Sequence, residues 1–282
     1  QAQSQPEVLL RHSVFRVQGR LESRALSLMK FITDSQIWKS IFRHKYPDNP
    51  RDQALAVLSN VFLHLHPIKV RKSGVRMSFT WCMGGLTFFL FLVETITGVL
   101  LMFYYRPVVE YAYNDIKALR DHVPIGIMRE LHRWGAHLMV ITVWLHMLRV
   151  FLTGSYKPPR EFNWNVGVIL LVLTLLLSFT GYLLPWDQLA IWAITVGTNM
   201  ARATPLMGHE GPGAAFIQLG DVSLVTAGSD VRFGLLGSKT VGAATLLRFY
   251  VLHCIAVPLG AGLLIAVHFW RVRKDGGISG PM

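Results

Sequence analysis

The 282-residue chain is 52% hydrophobic, with a mean hydropathy of +0.39, which suits a membrane protein. Its two cysteines both lie in apolar stretches, which excludes a disulfide framework. The net charge of +12 is spread unevenly and no compact basic domain carries it, which argues against nucleic-acid binding.

Residues 1–76 carry 13 Lys+Arg against 5 Asp+Glu. Residues 21–46 mix Leu, Ile, Phe and Trp with Arg and Lys at helical spacing. Pro47-Asp48-Asn49-Pro50 breaks the pattern, and 51–66 form a second short helix candidate. A basic amphipathic helix ahead of a membrane span lies in the headgroup layer, so 1–76 are expected to form a surface region. A docking arm for a partner subunit is the alternative. His12, His44, His64 and His66 read as surface residues, and the first 70 residues are too polar for a secretory signal.

Four long apolar runs follow, at 79–105, 129–153, 164–184 and 246–270. Each is long enough to span, so residues 77–282 read as a four-helix transmembrane domain. Arg149, Lys157 and Arg160 lie between the second and third runs, and Arg271, Arg273 and Lys274 in the tail. The other loops nearly balance their charges. By the positive-inside rule both termini face the cytoplasmic (n) side, and the loop 185–244 faces the opposite (p) side.

Four histidines fall in register on these runs. His132 and His146 are 14 residues apart on the second, and His253 and His268 are 15 apart on the fourth. Four helical turns take about 14.4 residues, so either spacing keeps both rings near one face, roughly 21 Å apart along the axis. That is most of a hydrocarbon core of about 30 Å. Two such helices side by side would offer two facing pairs, one near each membrane surface. Each pair could clamp an iron porphyrin from both sides. Four unrelated histidines with polar partners are the plainer alternative.

Gly84 and Gly98 on the first run, and Gly167 and Gly181 on the third, repeat the 14-residue interval. Small residues in membrane helices admit a bulky neighbour close to the backbone. Often that neighbour is another helix, but spacing matched to the histidines favours a flat macrocycle at each depth. The expected fold is all-α: a transmembrane four-helix bundle with two haems stacked in its core, preceded by amphipathic surface helices. Helices one and three are notched walls, helices two and four supply ligands, and the pairs one–two and three–four form a quasi-repeat.

Longer motifs surround these residues. They are Leu131-His132-Arg133-Trp134-Gly135-Ala136, His146-Met147-Leu148-Arg149 and Gly181-Tyr182-Leu183-Leu184-Pro185-Trp186-Asp187-Gln188. Thr245-Leu246-Leu247-Arg248-Phe249-Tyr250 precedes His253, and Gly277-Ile278-Ser279-Gly280-Pro281 ends the pattern. With these motifs, residues 70–282 resemble the cytochrome b family. Within it they resemble the shorter cytochrome b6-type subunit of quinol-oxidising bc/b6f-type complexes, which the 15-residue interval also favours.

The resemblance implies that His132 and His253 bind a p-side b haem, and His146 and His268 an n-side one. Arg129, Arg248 and Arg149 then suit haem propionates, which need cationic partners; interfacial snorkelling is the alternative. Cys82, in Trp81-Cys82-Met83-Gly84-Gly85, matches a family cysteine that holds a third, covalent n-side haem c by one thioether. Arg273 matches the residue near that haem's propionates. The ordinary c-type motif C-x-x-C-H is absent. Gly181, Tyr182, Pro185, Trp186, Asp187 and Gln188 would form one wall of the quinol-oxidising site, with a short interfacial helix at 189–200.

The family completes that site with Pro-Glu-Trp-Tyr, which this sequence lacks. The implied partners are therefore a second membrane subunit carrying that motif, a Rieske iron–sulfur protein, a cytochrome c-type subunit and lipid, in a homodimeric complex. The implied activity is electron transfer across an energy-transducing membrane, from p-side quinol oxidation to n-side quinone reduction, coupled to proton translocation.

Some features depart from the family. Residues 1–76 are longer than expected. So is 201–244, which contains Gly208-His209-Glu210-Gly211-Pro212-Gly213 and reads either as a partner-docking insertion or as a plain longer loop. Glu94 stands where the family has Gln. An intramembrane carboxylate is a functional candidate; the quieter reading is a protonated Glu hydrogen-bonded as the Gln would be. Cys254 points about 100° off the haem face and reads as core; His137 is also off that face and reads as structural. Two other function classes remain. One is a dihaem membrane anchor of a quinone-linked dehydrogenase or hydrogenase. The other is a non-redox subunit that has kept the fold.

Overall fold

The computed structural model describes residues 23, 26, 27, 29–36, 38, 47–60, 69–122 and 124–279. The chain divides into two compact units, Gln1–His64 and Leu65–Met282. In the first, α1 (Pro50–Ser59) begins where the Asn49 side chain accepts from the Asp52 N–H at 2.9 Å. Pro50 takes an early helical position, where its missing N–H costs nothing. The Pro-Asp-Asn-Pro break is thus also a helix start. Residues 29–34 are helical. Much of the rest of 21–46, and the end of 51–66, lie outside the described residues.

The second unit opens with α2 (Met77–Thr80) and α3 (Met83–Met102). A single helix from 79 was expected, but Trp81 and Cys82 have φ of 50° and 52° and divide it. The left-handed region costs an L-residue roughly 1–2 kcal/mol. No glycine or proline marks the break, so periodicity alone runs through it. Next comes α4 (Val109–Asp121), a short helix that the four-span reading omitted. It buries Ala112, Asp115 and Leu119, a three- and four-residue spacing that gives one inward stripe. Arg106 donates through Nε and its backbone N–H to Asp115 Oδ2 (3.0 and 2.9 Å) and through Nη2 to Oδ1 (2.6 Å). These bonds hold the Asp115 carboxyl below its usual range.

The remaining long helices are α5 (Ile125–Leu152) and α6 (Glu161–Leu183), followed by α7 (Gln188–Ala201). The Asp187 side chain caps α7, accepting from the Ala190 N–H at 2.8 Å. A small hairpin pairs β1 (Gln218–Leu219) with β2 (Val222–Ser223), and α8 (Val231–Leu236) follows. The final span joins α9 (Ala243–Val251), a π-helical turn (Leu252–Ala256) and α10 (Val257–Lys274). Among the described residues, four helical runs are long and apolar enough to cross a membrane: α3, α5, α6 and Ala243–Lys274. The main packing pairs are α3 with α5 and α6 with α10, the expected quasi-repeat.

The segment 201–244 is folded rather than a bare loop. Leu236 is fully buried in a core with Tyr105, Leu183, Trp186, Ile194, Leu246 and Phe249. The Thr245 hydroxyl donates to the Leu236 carbonyl at 3.0 Å. Asp230 caps α8 through the Phe233 N–H at 2.8 Å and meets His209 Nδ1 at 2.5 Å. Burial alone would raise the Asp230 carboxyl, but these bonds outweigh it and the net shift is downward. A depressed carboxyl pKa stabilises the fold above the ordinary value near 4, and that contribution is lost as pH falls through the folded value. Limited proteolysis should therefore show cleavage within 201–244 rising as pH drops below about 4. Asp230→Asn should raise cleavage at neutral pH and flatten that acid response.

Candidate functional site

The π turn decides how the fourth span presents its histidines. Pro258 has no N–H to give the Cys254 carbonyl, four residues back, and the Val257 N–H donates to Leu252, five back. Fifteen regular helical residues would turn about 60° beyond four turns, whereas fourteen stop about 40° short. The π turn absorbs one residue, so His253 and His268 take the relative orientation of His132 and His146. The four rings meet in two pairs. His132 and His253 have centroids 6.1 Å apart and planes at 85°; His146 and His268 are 6.4 Å apart at 79°.

These separations fit a metal between the rings. A metal–imidazole bond is about 2 Å, and the ring centroid lies roughly 1 Å beyond the nitrogen, so two rings on opposite sides of one ion stand roughly 6 Å apart. Among the described residues no cluster of three or more His, Cys, Asp and Glu could hold a metal ion. A site with two protein ligands leaves its other coordination positions to a group the described residues do not supply.

Each glycine of the 14-residue pattern faces one of these rings. A Cβ at Gly84 would stand 3.1 Å from His146 Cε1, and at Gly98 3.1 Å from His132 Cε1. At Gly181 it would stand 2.6 Å from His253 Cε1, and at Gly167 3.8 Å from His268 Cε1. The glycines thus seat the histidine edges against the opposite helix.

The ring nitrogens are held unequally. His253 Nδ1 lies 3.1 Å from the Leu177 carbonyl and 3.2 Å from Thr180 Oγ1. His132 Nδ1 lies 2.9 Å from Thr97 Oγ1 and 3.1 Å from Glu94 Oε2. Both contacts leave Nε2 for a metal. His268 Nδ1 is buried beside the Asn163 backbone and makes no hydrogen bond of normal geometry. Thr97 and Thr180 escaped sequence reasoning, though the repeated Thr-Gly at 97–98 and 180–181 was a visible signal.

The other expected residues fall in different places. Arg149 donates to the Phe79 carbonyl at 3.3 Å, lies 4.6 Å over the Phe79 ring and keeps Nη2 buried without a partner. It lines a cavity of about 110 Å³ with His146, His268, Arg160, Asn163 and Ser279. The tail closes this cavity: Arg160 donates to the Asp275 carbonyl at 3.0 Å, and Ser155 bonds Ser279. Arg129 pairs with Glu130 at 2.7 Å. Arg248 is exposed and donates to the Gly234 carbonyl, so it engages the segment 201–244. Arg273 lies in the last turn of α10. Cys82 is exposed, with Sγ 3.2 Å from Met77 Sδ, and a Cβ at neighbouring Gly85 would meet nothing within 4 Å. Of the expected quinol-site wall, Trp186 is buried, Tyr182 exposed, and Asp187 is committed to its cap.

Comparison with known proteins bears on this geometry. The Cytochrome b/b6/petB family model matches residues 68–211. The chain belongs to the cytochrome b/b6 family. It is 41% identical over 206 residues to the menaquinol:cytochrome c reductase cytochrome b subunit of Bacillus subtilis, covering 73% of this chain and 83% of that one. It is 41% identical over 203 residues to cytochrome b6 of Euglena gracilis, covering 72% and 85%. Cytochrome b6 of Synechocystis sp. is 40% identical over 203 residues, covering 72% and 82%. Among solved structures, a chain of a hyperthermophilic respiratory Complex III superposes with a TM-score of 0.64 at 26% identity; the match covers 89% of this chain and 56% of that one.

This family membership implies haem b binding, and the glycine contacts rank the mutations that would disturb it. Gly181→Ala should lower the b-haem content seen in a reduced-minus-oxidised spectrum, because its Cβ would crowd His253. Gly167→Ala should leave that content near wild type.

Proposed function

We propose that the chain is the dihaem, cytochrome b6-type subunit of a quinol-oxidising complex of bc/b6f type. The observation that carries this reading is the two histidine pairs, 6.1 and 6.4 Å apart, in a member of the cytochrome b/b6 family. His132 and His253 hold the p-side haem, and His146 and His268 the n-side haem. When bound, the two b haems supply one-electron carriers at two depths, linking quinol oxidation on the p-side to quinone reduction on the n-side. The chain's residues fix the position of these groups. Gly84, Gly98, Gly167 and Gly181 bring the walls close, and Thr97, Thr180 and the Leu177 carbonyl set the imidazole tautomer. Arg149, whose Nη2 has no protein partner, is positioned for a haem propionate on the n-side. Arg129, Arg248 and Arg273 would reach the other propionates only by leaving or sharing present contacts.

On this reading the termini and the 110 Å³ cavity are on the n-side, and 185–244 is on the p-side. Gly181, Tyr182, Pro185, Trp186, Asp187 and Gln188 form one wall of the quinol site. The rest comes from a membrane subunit with Pro-Glu-Trp-Tyr. A Rieske protein and a cytochrome c-type subunit accept electrons, and the assembly is a homodimer that moves protons as quinol is oxidised and quinone reduced. The Bacillus subtilis relative is named as a menaquinol:cytochrome c reductase subunit, which favours this reading over a dehydrogenase anchor. Cys82 forms a thioether to a third haem, with the open space at Gly85 beside it.

In the purified complex, His268→Leu should lose the n-side haem while quinol still reduces the p-side one. His253→Leu should lose the p-side haem and block electron entry. On a denaturing gel the wild-type chain should stain for haem and Cys82→Ser should not, with both b haems kept. Normal spectra and turnover in either histidine variant would overturn the ligand assignment, and an unstained wild-type chain would overturn the role of Cys82.

A further inference from the structure

Glu94 sits on α3, four residues before Gly98, and its side chain reaches toward α5. Its Oε2 is 3.1 Å from His132 Nδ1. Its Oε1 is buried with no hydrogen-bond partner. A Cβ at Gly135 would overlap Oε1, so the glycine that follows His132 by three residues makes the space the carboxyl occupies. Thr97 donates its hydroxyl to the Val93 carbonyl at 2.6 Å, so its lone pairs are left to face Nδ1 at 2.9 Å. The equivalent ring, His253, meets a threonine and a backbone carbonyl. Among the described residues, Glu94 is the one carboxyl within ion-pair distance of any of the four paired histidines.

We infer that Glu94 is a positioning residue for His132 that sets the reduction potential of the His132/His253 site apart from that of the His146/His268 site. The inference rests on the haem-ligand assignment proposed above. An imidazole bound to iron through Nε2 carries its proton on Nδ1. A carboxyl oxygen beside that N–H fixes the ring's orientation and raises its electron donation to the metal. Greater donation favours ferric over ferrous iron and lowers the potential. The matching ring, His253, instead meets a neutral backbone carbonyl, that of Leu177, and the Thr180 hydroxyl, so the two ligands of this site are held differently. Gly135 belongs to the same device, because any side chain there would push the carboxyl off the ring.

The test is an equilibrium redox titration of the purified complex at one pH, following both b haems. Glu94→Gln keeps the shape of the side chain but replaces the carboxyl with an amide. It should raise the midpoint of the His132/His253 haem and leave the other unmoved. The expected size is up to a tenfold change in the reduction equilibrium, about 59 mV for one electron. Gly135→Ala, which keeps Glu94 but displaces it, should shift the same haem in the same direction. Two retained haems with unshifted midpoints in Glu94→Gln, or equal shifts in both haems, would overturn the inference. Absence of b haems from the wild-type complex would instead overturn the functional reading, and this inference with it.

Discussion

The contact on which the rest depends is a histidine edge seated against a glycine of the neighbouring helix. It occurs four times, and the pattern needs both helices to repeat every four turns. A side chain at Gly181 would stand 2.6 Å from His253, and the ring could not then hold its place opposite His132. Helix periodicity therefore sets the depth of each pair, and small residues set how closely the walls approach. The fourth span reaches this repeat only through its π turn. Pro258 withholds one N–H, the turn takes in an extra residue, and an interval of 15 behaves as an interval of 14.

The two sites differ around this shared frame. His132 and His253 have threonine hydroxyls at Nδ1, and His132 also has a carboxyl, whereas His268 Nδ1 is buried with no hydrogen bond of normal geometry. A ligand's electron donation depends on such contacts, so one fold can hold two chemically unlike sites. The ends of the bundle differ too. One is closed by Trp186, Leu236, Leu246 and Phe249, with the segment 201–244 folded against them. The other keeps a polar cavity lined by Arg149, Arg160, Asn163 and Ser279.

Much of this was legible in the sequence because it rests on period and composition. The four apolar runs, the two histidine intervals and the matching glycines each follow from helix geometry. The family showed in ordered motifs such as Gly181–Gln188. What was not legible depends on tertiary contact. The turn at Trp81 and Cys82 has no glycine or proline to announce it. The stripe of α4 is short and carries a buried aspartate, so it reads as polar until Arg106 is placed beside Asp115. Arg248 donates to the carbonyl of Gly234, a contact that its place in the chain does not announce. Glu94 stood out as an intramembrane carboxylate, yet only its proximity to His132 and the gap at Gly135 give it a chemical role.

Electron paramagnetic resonance of the oxidised protein tests the central geometry most directly. Two imidazoles with planes near 90° donate to different iron d orbitals, which leaves those orbitals nearly degenerate. The planes at 85° and 79° therefore predict two strongly anisotropic low-spin ferric signals, one for each pair. A rhombic spectrum typical of coplanar imidazoles, or high-spin iron at either site, would contradict the arrangement.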